Sequence, residues 1–239
     1  MATYKEIFGQ NIQVVSSDPA NPNVGQLWYN TTSQELKGYK QVIGNAWSTG
    51  GNLNTARINL AGSGIQTAGL AFGGNIPPLT GATESYNGST WTTSPNTLNT
   101  SRQALAGAGT QTAALAFGGL DPALTGVTES WNGTSWTEVA DLAVVGMNAG
   151  SIGSSNTDAM MAGGANDSTD FFKTVEQWNG VSWSEIADLP VEVRTQGTGA
   201  RGTTTQGLSV SGQISPGAQT TATYEWNSAS NTTKTVSTD

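Results

Sequence analysis

The segment ESYNGSTW at Glu84–Trp91 returns as ESWNGTSW at Glu129–Trp136 and as EQWNGVSW at Glu176–Trp183, at spacings of 45 and 47 residues. A chain that repeats at this period builds one supersecondary unit per copy and makes its core by setting each unit against the next. Ahead of each copy stands a glycine pair (Gly73 and Gly74, Gly118 and Gly119, Gly163 and Gly164) that closes a run of small apolar residues such as AGLAFGG. A fourth, degraded copy follows, with SVSG at Ser209–Gly212 in place of the double glycine and YEWNSAS at Tyr224–Ser230 in place of the aromatic segment.

The interior of the period decides its type. No run sustains the three-to-four spacing of a helix face, so helical repeats are disfavoured. The second unit reads as four short strands, 103–109, 112–117, 127–131 and 135–139, separated by turns bearing Gly and Pro. Four strands per period predict a propeller blade. The Asn-Gly pairs at Asn87, Asn132 and Asn179 predict two-residue hairpin turns with both residues at positive φ. Such turns would place Tyr86 and Trp91, Trp131 and Trp136, and Trp178 and Trp183 diagonally opposed on one face of the hairpin, to pack between adjacent blades, with Trp226 in that role in the fourth unit. The glycine pairs are expected where a side chain would crowd a neighbouring strand or a central channel.

Composition narrows the chemistry. Only 11% of the 239 residues are charged, against about 25% in an average globular chain, while 31 are glycine, which fits a β-protein with a Ser, Thr and Asn surface. A net charge of -8 argues against nucleic acid, whose phosphates are bound by clustered cations. With no cysteine and no histidine, thiolate zinc sites, cysteine nucleophiles, imidazole bases and Ser-His-Asp triads are excluded. No cofactor is expected. The segment ANDSTDFFK offers Asn166, Asp167, Ser168 and Asp170 as oxygen ligands of the kind calcium takes, but without the spacing of a known calcium loop, and a polar turn is the expectation. No stretch reaches the ~18 apolar residues of a membrane span, and residues 1–10 lack the grammar of a secretory signal, so no membrane insertion and synthesis in the cytoplasm are expected.

The ordered set of Gly-Gly, Glu-x-aromatic and Trp resembles the kelch repeat. An arginine ahead of the first strand belongs to the match: Arg57, Arg102 and Arg194 stand 16, 16 and 17 residues before the glycine-pair position, and Met147 takes that place in the third unit. The resemblance covers the chain from about Trp47 onward and implies an all-β, kelch-like β-propeller. Residues 48–239 then hold the clear repeats, and residues 1–47 amount to about one further period. That remainder carries strand-like runs at Ile12–Val15, Gln26–Asn30, Glu35–Lys40 and a stretch ending at Trp47. Two readings stay open: a diverged blade, making five and burying Trp28, Tyr29 and Trp47, or a docking arm ahead of a four-bladed wheel.

The segment SSDPANPNVGQLWYNTTSQELKGYK at Ser16–Lys40 is similar to the openings of virion structural proteins of tailed bacteriophages, particularly those of marine cyanobacteria. This implies a non-enzymatic structural and interaction component located in the virion, favoured as a tail- or fibre-associated protein facing the host. A head decoration or tail nozzle subunit without receptor role is the alternative. The partners implied are other virion proteins and a host-surface glycan or receptor, with several copies in the particle.

The enzymatic alternative is a glycan-active enzyme. Ser85–Trp91 is similar to the Asp-box turn of sialidases, though Asn replaces Asp, one residue is missing, and the chemistry needs convergent arginines and a Tyr nucleophile. Because Arg57, Arg102 and Arg194 recur with the repeat, a packing role is expected for them. Candidate partner contacts fall in the loops 75–82, 120–127, 165–174 and 213–221, where Pro77, Pro78 and Pro122 stand. Phe171 and Phe172 are adjacent aromatics, of which at least one is a candidate contact, with burial of both under the loop as the equal alternative.

Overall fold

The computed structural model describes residues 12–39 except 24, 48–166, 170–195, 197–198, 202–214, 217–228 and the backbone of 234–236. All regular structure among them is strand, and the chain divides into two compact units, Met1–Thr49 and Gly50–Asp239.

In the first unit, β1 (Gln13–Val15) pairs parallel with β2 (Leu27–Asn30), and β2 pairs antiparallel with β3 (Glu35–Gly38). Along β2 the exposed Leu27 and Tyr29 alternate with the buried Trp28 and Asn30, the period-two pattern of a sheet with one covered face. Three of the four strand-like runs are therefore strands, and the fourth, ending at Trp47, lies outside the described residues. The parallel first pair departs from the antiparallel meander expected of a blade.

The second unit begins with an antiparallel sheet of β4 (Ala61–Ile65), β5 (Ala68–Phe72), β6 (Thr83–Tyr86) and β7 (Trp91–Thr93), in that order. The next repeat forms β8 (Ala106–Gly109) and β9 (Ala114–Phe117). It continues through a small hairpin of β10 (Leu120–Asp121) and β11 (Ala123–Leu124) to β12 (Thr128–Trp131) and β13 (Trp136–Glu138). The third is β14 (Gly150–Ser155), β15 (Asp158–Ala165), β16 (Phe171–Trp178) and β17 (Trp183–Glu185). The last is β18 (Val193–Arg194), β19 (Gly197–Thr198), β20 (Gln206–Ile214), β21 (Ala218–Asn227) and β22 (Lys234–Val236), with β18 and β19 both pairing β20. In the second repeat each of the four expected strands contains an observed one.

Successive sheets pack face to face in a propeller-like arrangement, and one cluster fills each joint. Leu70 and Phe72 of the first sheet meet Ala114, Ala116, Trp131 and Trp136 of the second. On the other face of the second sheet, Leu115 and Phe117 meet Met161 and Trp178 of the third. Val175 of the third meets Val193 and Tyr224 of the fourth. The segments entering the later sheets add leucines to these joints: Leu98 and Leu105, then Leu142, then Leu189.

The glycine pairs mark close approaches between these sheets. Both members have positive φ in every copy, and Ser211 and Gly212, at 58° and 121°, adopt the same geometry in the fourth. A Cβ on Gly73 would lie 2.9 Å from the Arg102 carbonyl oxygen of the next repeat, and one on Gly118 would lie 2.9 Å from that of Gly146. The Gly74 and Gly119 N–H groups donate to those same carbonyls at 2.8 and 2.7 Å.

A second line of backbone bonds links the repeats. The Ala104 N–H donates to the Asn59 carbonyl at 2.9 Å, Asn148 to Ala104 at 3.0 Å and Thr195 to Asn148 at 2.9 Å. These four non-glycine residues all have φ between 53° and 56°, a conformation that costs of order 1 kcal/mol and persists only where the surroundings hold it. They are equivalent positions, which corrects the arginine register. Counting from them, the counterparts of Arg57 and Arg102 are Gly146 and Val193, while Met147 and Arg194 match Ile58 and Gln103.

The outer hairpins also differ from expectation. Four residues, not two, separate the strands, so Tyr86 faces Trp91 directly, as Trp131 faces Trp136 and Trp178 faces Trp183. Only the glycine of each Asn-Gly pair has positive φ. The asparagine instead caps the loop, its Oδ1 accepting the N–H groups two and three residues on, at 2.9 Å from Ser89 and Thr90 and likewise from Thr134 and Ser135.

Candidate functional site

Paired carboxylates and convergent arginines are what an enzymatic reading needs. Glu84, Glu129 and Glu176 are buried to within 1% of complete enclosure. Glu129 accepts from the Asn99 and Thr100 N–H groups at 2.7 and 3.2 Å, from Asn99 Nδ2 at 2.9 Å and from Arg102 Nη1 at 2.6 Å. Glu84 repeats the arrangement with Asn54, Thr55 and Arg57, the ion pair closing at 3.3 Å. Each arginine spends further N–H groups on carbonyls of its own sheet, Arg57 on Ala71 and Ala82 and Arg102 on Ala116. Burial pushes the Arg57 guanidinium below its ordinary range against the opposing pull of Glu84. In the third repeat Gly146 leaves Glu176 with backbone donors alone, Ala143 and Val144 at 2.9 and 2.8 Å. These carboxylates staple the entering segment to its sheet. Arg194 lies apart, over the Phe171 ring at 4.6 Å, with its Nε donating to Gln213. The three arginines therefore share no common role and converge on no cleft.

The aromatic residues form the joints. The Trp136 indole N–H donates to Thr83 Oγ1 of the preceding sheet at 2.9 Å, and Trp183 donates to Thr128 Oγ1 at 3.0 Å. Their rings pack edge to face on Phe72 and Phe117, with centroids 4.9 and 5.0 Å apart. Trp131, Trp178 and Trp226 donate instead to carbonyls in their own first turn, those of Gln111, Asn156 and Thr204. That turn reaches back across the joint. Gln111 Nε2 donates to the Gly69 and Tyr86 carbonyls at 3.0 and 2.6 Å, Asn156 Nδ2 to the Trp131 carbonyl at 3.2 Å, and the Thr204 N–H to Asp158 at 2.9 Å. Tyr86 and Trp91, on the face of the first sheet turned away from the second, are only half-buried.

Among the proposed contact residues, Pro77 and Pro78 are exposed and joined by a cis bond, and Pro122 is exposed at the tip of the β10–β11 hairpin. Phe171 and Phe172 belong to β16 rather than to a loop. Phe171 is 2% exposed beneath Arg194, and Phe172 is half-buried against Gly146, where a Cβ would come within 2.7 Å of its ring. Of the proposed ion ligands, Asp167 and Ser168 lie outside the described residues. Asn166 and Asp170 hydrogen-bond to one another through side chains and backbone, and no metal-competent cluster of acidic residues occurs among the described residues.

In the first compact unit, Asp18 gathers the Trp28 indole at 2.9 Å, Asn30 Nδ2 at 2.7 Å and Lys37 Nζ at 2.9 Å. The Lys37 ammonium, then Asn30 and Trp28, hold its carboxyl well below the usual carboxylate range.

Sequence reasoning passed over Thr83, Thr128, Gln111 and Asn156. The threonines had a visible signal, since each stands directly before the recurring glutamate and ten residues after its glycine pair. The turn amides differ in type from copy to copy and leave no such mark. No family model matches this chain, nor does any curated protein match it as a relative.

Proposed function

We propose that the chain is a non-enzymatic structural and interaction component of a tailed-phage particle, favoured at the host-facing tail or fibre, and built as a kelch-like propeller. The observation that carries this reading is the use of the conspicuous side chains: buried glutamates close staples, and tryptophans close joints. Chemistry at a cleft needs such groups free and convergent. The exposed loops are open to partners, with Pro77, Pro78 and Pro122 among their tips. The role in a virion rests on the resemblance of residues 16–40, not on the joints. For residues 1–47 the parallel pairing of β1 and β2 favours a docking segment beside four repeated blades over a fifth blade.

The test is an antibody raised against the purified chain and applied to intact tailed particles whose genome encodes it. Decoration of the tail or fibres is expected. Labelling of the head or nozzle would select the alternative role, and particles without label would refute a virion component. Incubation with host-surface polysaccharide should release no new reducing ends, and turnover lost with a carboxylate substitution would replace this reading by a glycan-active enzyme.

A further inference from the structure

The two outermost faces of the repeat array are complementary halves of the joint that recurs inside it. On the face of the first sheet turned away from the second, Trp91 occupies the position of Trp136 and Trp183, and Gln66 occupies that of Gln111. Among the described residues neither the Trp91 indole nor the Gln66 amide has a hydrogen-bond partner, and Gln66 is exposed. An open cavity of about 450 Å³ reaches this face, lined by Gly62, Gly69, Ala71 and Trp91 and, along its inner side, by Gly107, Ala108 and Gly109 of β8 in the next sheet. Gly62 corresponds to Gly107, whose missing side chain makes room for the Phe72 ring of the preceding sheet. The cavity is thus a seat of the kind that Phe72 fills one repeat later.

The free face of the last sheet supplies the other half. Thr223 pairs with Val210 as Thr83 pairs with Phe72 and Thr128 with Phe117, which puts its hydroxyl where the earlier threonines receive an indole. Leu208, at the position of Leu70 and Leu115, is 37% exposed where those two are buried to 2% and 0%. The carbonyls of Gly207 and Trp226 correspond to those of Gly69 and Tyr86, which accept the Gln111 amide. No substantial strand packing joins β4–β7 to β18–β22 among the described residues. Among the described residues the line of backbone bonds that begins at Asn59 ends at Thr195 without returning.

We propose that a second copy of this chain docks head to tail on the array, its Trp91 face closing against the Leu208 and Thr223 face of the first. The contact continues an interface already made twice within the chain, with the same donors and acceptors in the same places. Because the two patches differ, the association is heterologous, and it either closes on itself in a ring or extends. The proposal does not depend on a virion role.

Sedimentation of the full chain over a wide concentration range tests it. The expected result is a concentration-dependent mass of at least two copies. Trp91→Ala and Leu208→Arg should each reduce the mass to one copy, with circular dichroism confirming that the sheets persist. Mixing the two variants should restore a two-copy species and nothing larger, because one intact half of the joint remains on each. Wild-type protein that stays monomeric at every concentration overturns the proposal. A monomer in which both substitutions lower the melting temperature would assign the same joint to ring closure within one chain, and a mixture that stays monomeric would also overturn the second-copy reading.

Discussion

The second and fourth repeats fasten their entering segments to their sheets by opposite means. In the second, Arg102 and Glu129 form a fully enclosed ion pair, whereas in the fourth the same two positions hold Val193 and Tyr224, both buried in one apolar cluster. Taking two charges out of water costs several kcal/mol per ion, and an apolar pair of similar volume often serves as well. The difference is in what each tolerates. A buried ion pair fails when either member is lost, because the survivor is stranded, while an apolar pair loses only the contacts removed.

The largest expected effect follows from that asymmetry: Arg102→Ala should destabilise the repeat array by about 3–5 kcal/mol, measured by chemical denaturation. Val193→Ala should cost no more than ~3 kcal/mol, the full burial value of a valine. Combining Arg102→Val with Glu129→Tyr, to mimic the fourth repeat, should recover only part of the loss, because the Asn99 and Thr100 N–H groups lose their acceptor. Full recovery would mean that those two bonds contribute nothing measurable.

The joints carry the next contrast. Trp136→Ala, at 5% exposure between two sheets, should cost about 3–5 kcal/mol. Trp91→Ala, half-buried on the first sheet's face turned away from the second, should cost ~1 kcal/mol or less in dilute protein. Equal losses would show that the first sheet's outer face is covered within the monomer.

Smaller effects are expected at the hairpins. Gly133→Val should cost about 1–3 kcal/mol, because a β-branched residue resists the φ of 92° found there. Gly88→Val and Gly180→Val should match it, and an unchanged melting temperature in all three would show that the positive φ at these glycines carries no strain.

The smallest effect lies in the first compact unit. The folded carboxyl of Asp18 sits below the unfolded value of about 3.9, so its contribution is complete above that pH and is lost as pH falls through the depressed folded value. Emission from Trp28 should hold steady through mildly acid solution and change only under stronger acid. Asp18→Asn should bring the altered emission to neutral pH, and no difference between variant and parent would show that the carboxylate does not set the Trp28 environment.

The repeat, its four strands and the crowding at the glycine pairs were all legible in the sequence, because each glycine is demanded locally by a positive φ or a close approach. The arginine register was not. From the equivalent positive-φ residue to the glycine-pair position there are 14 residues in the first two repeats but 15 and 16 in the last two. A register shift between Gly153 and Ser155 accompanies the extra residue in the third repeat. Counting back from the glycines therefore lands one position late, on Met147 and Arg194. The Asn-Gly pairs misled for another reason: Asn at a turn serves as well by accepting hydrogen bonds as by adopting positive φ, and sequence alone does not separate the two. The burial of Phe171 was equally hidden, since Arg194, which lies over its ring, stands 23 residues further on.

Each of the first two joints is pinned at opposite edges of the sheet. At the β8 edge Ala104 bonds to Asn59 and Ser63 Oγ to the Thr110 carbonyl, while at the β13 edge Trp136 bonds to Thr83. With four strands about 4.8 Å apart, the two attachments are separated by a lever arm of roughly 14 Å. Turning one sheet over its neighbour must then break both at once, so a torque applied through an exposed loop is opposed by a couple rather than by a single pivot. The first three repeats, joined in this way, act as a stiff bracket: a pull on the Pro122 hairpin is resisted by both joints of the sheet that carries it.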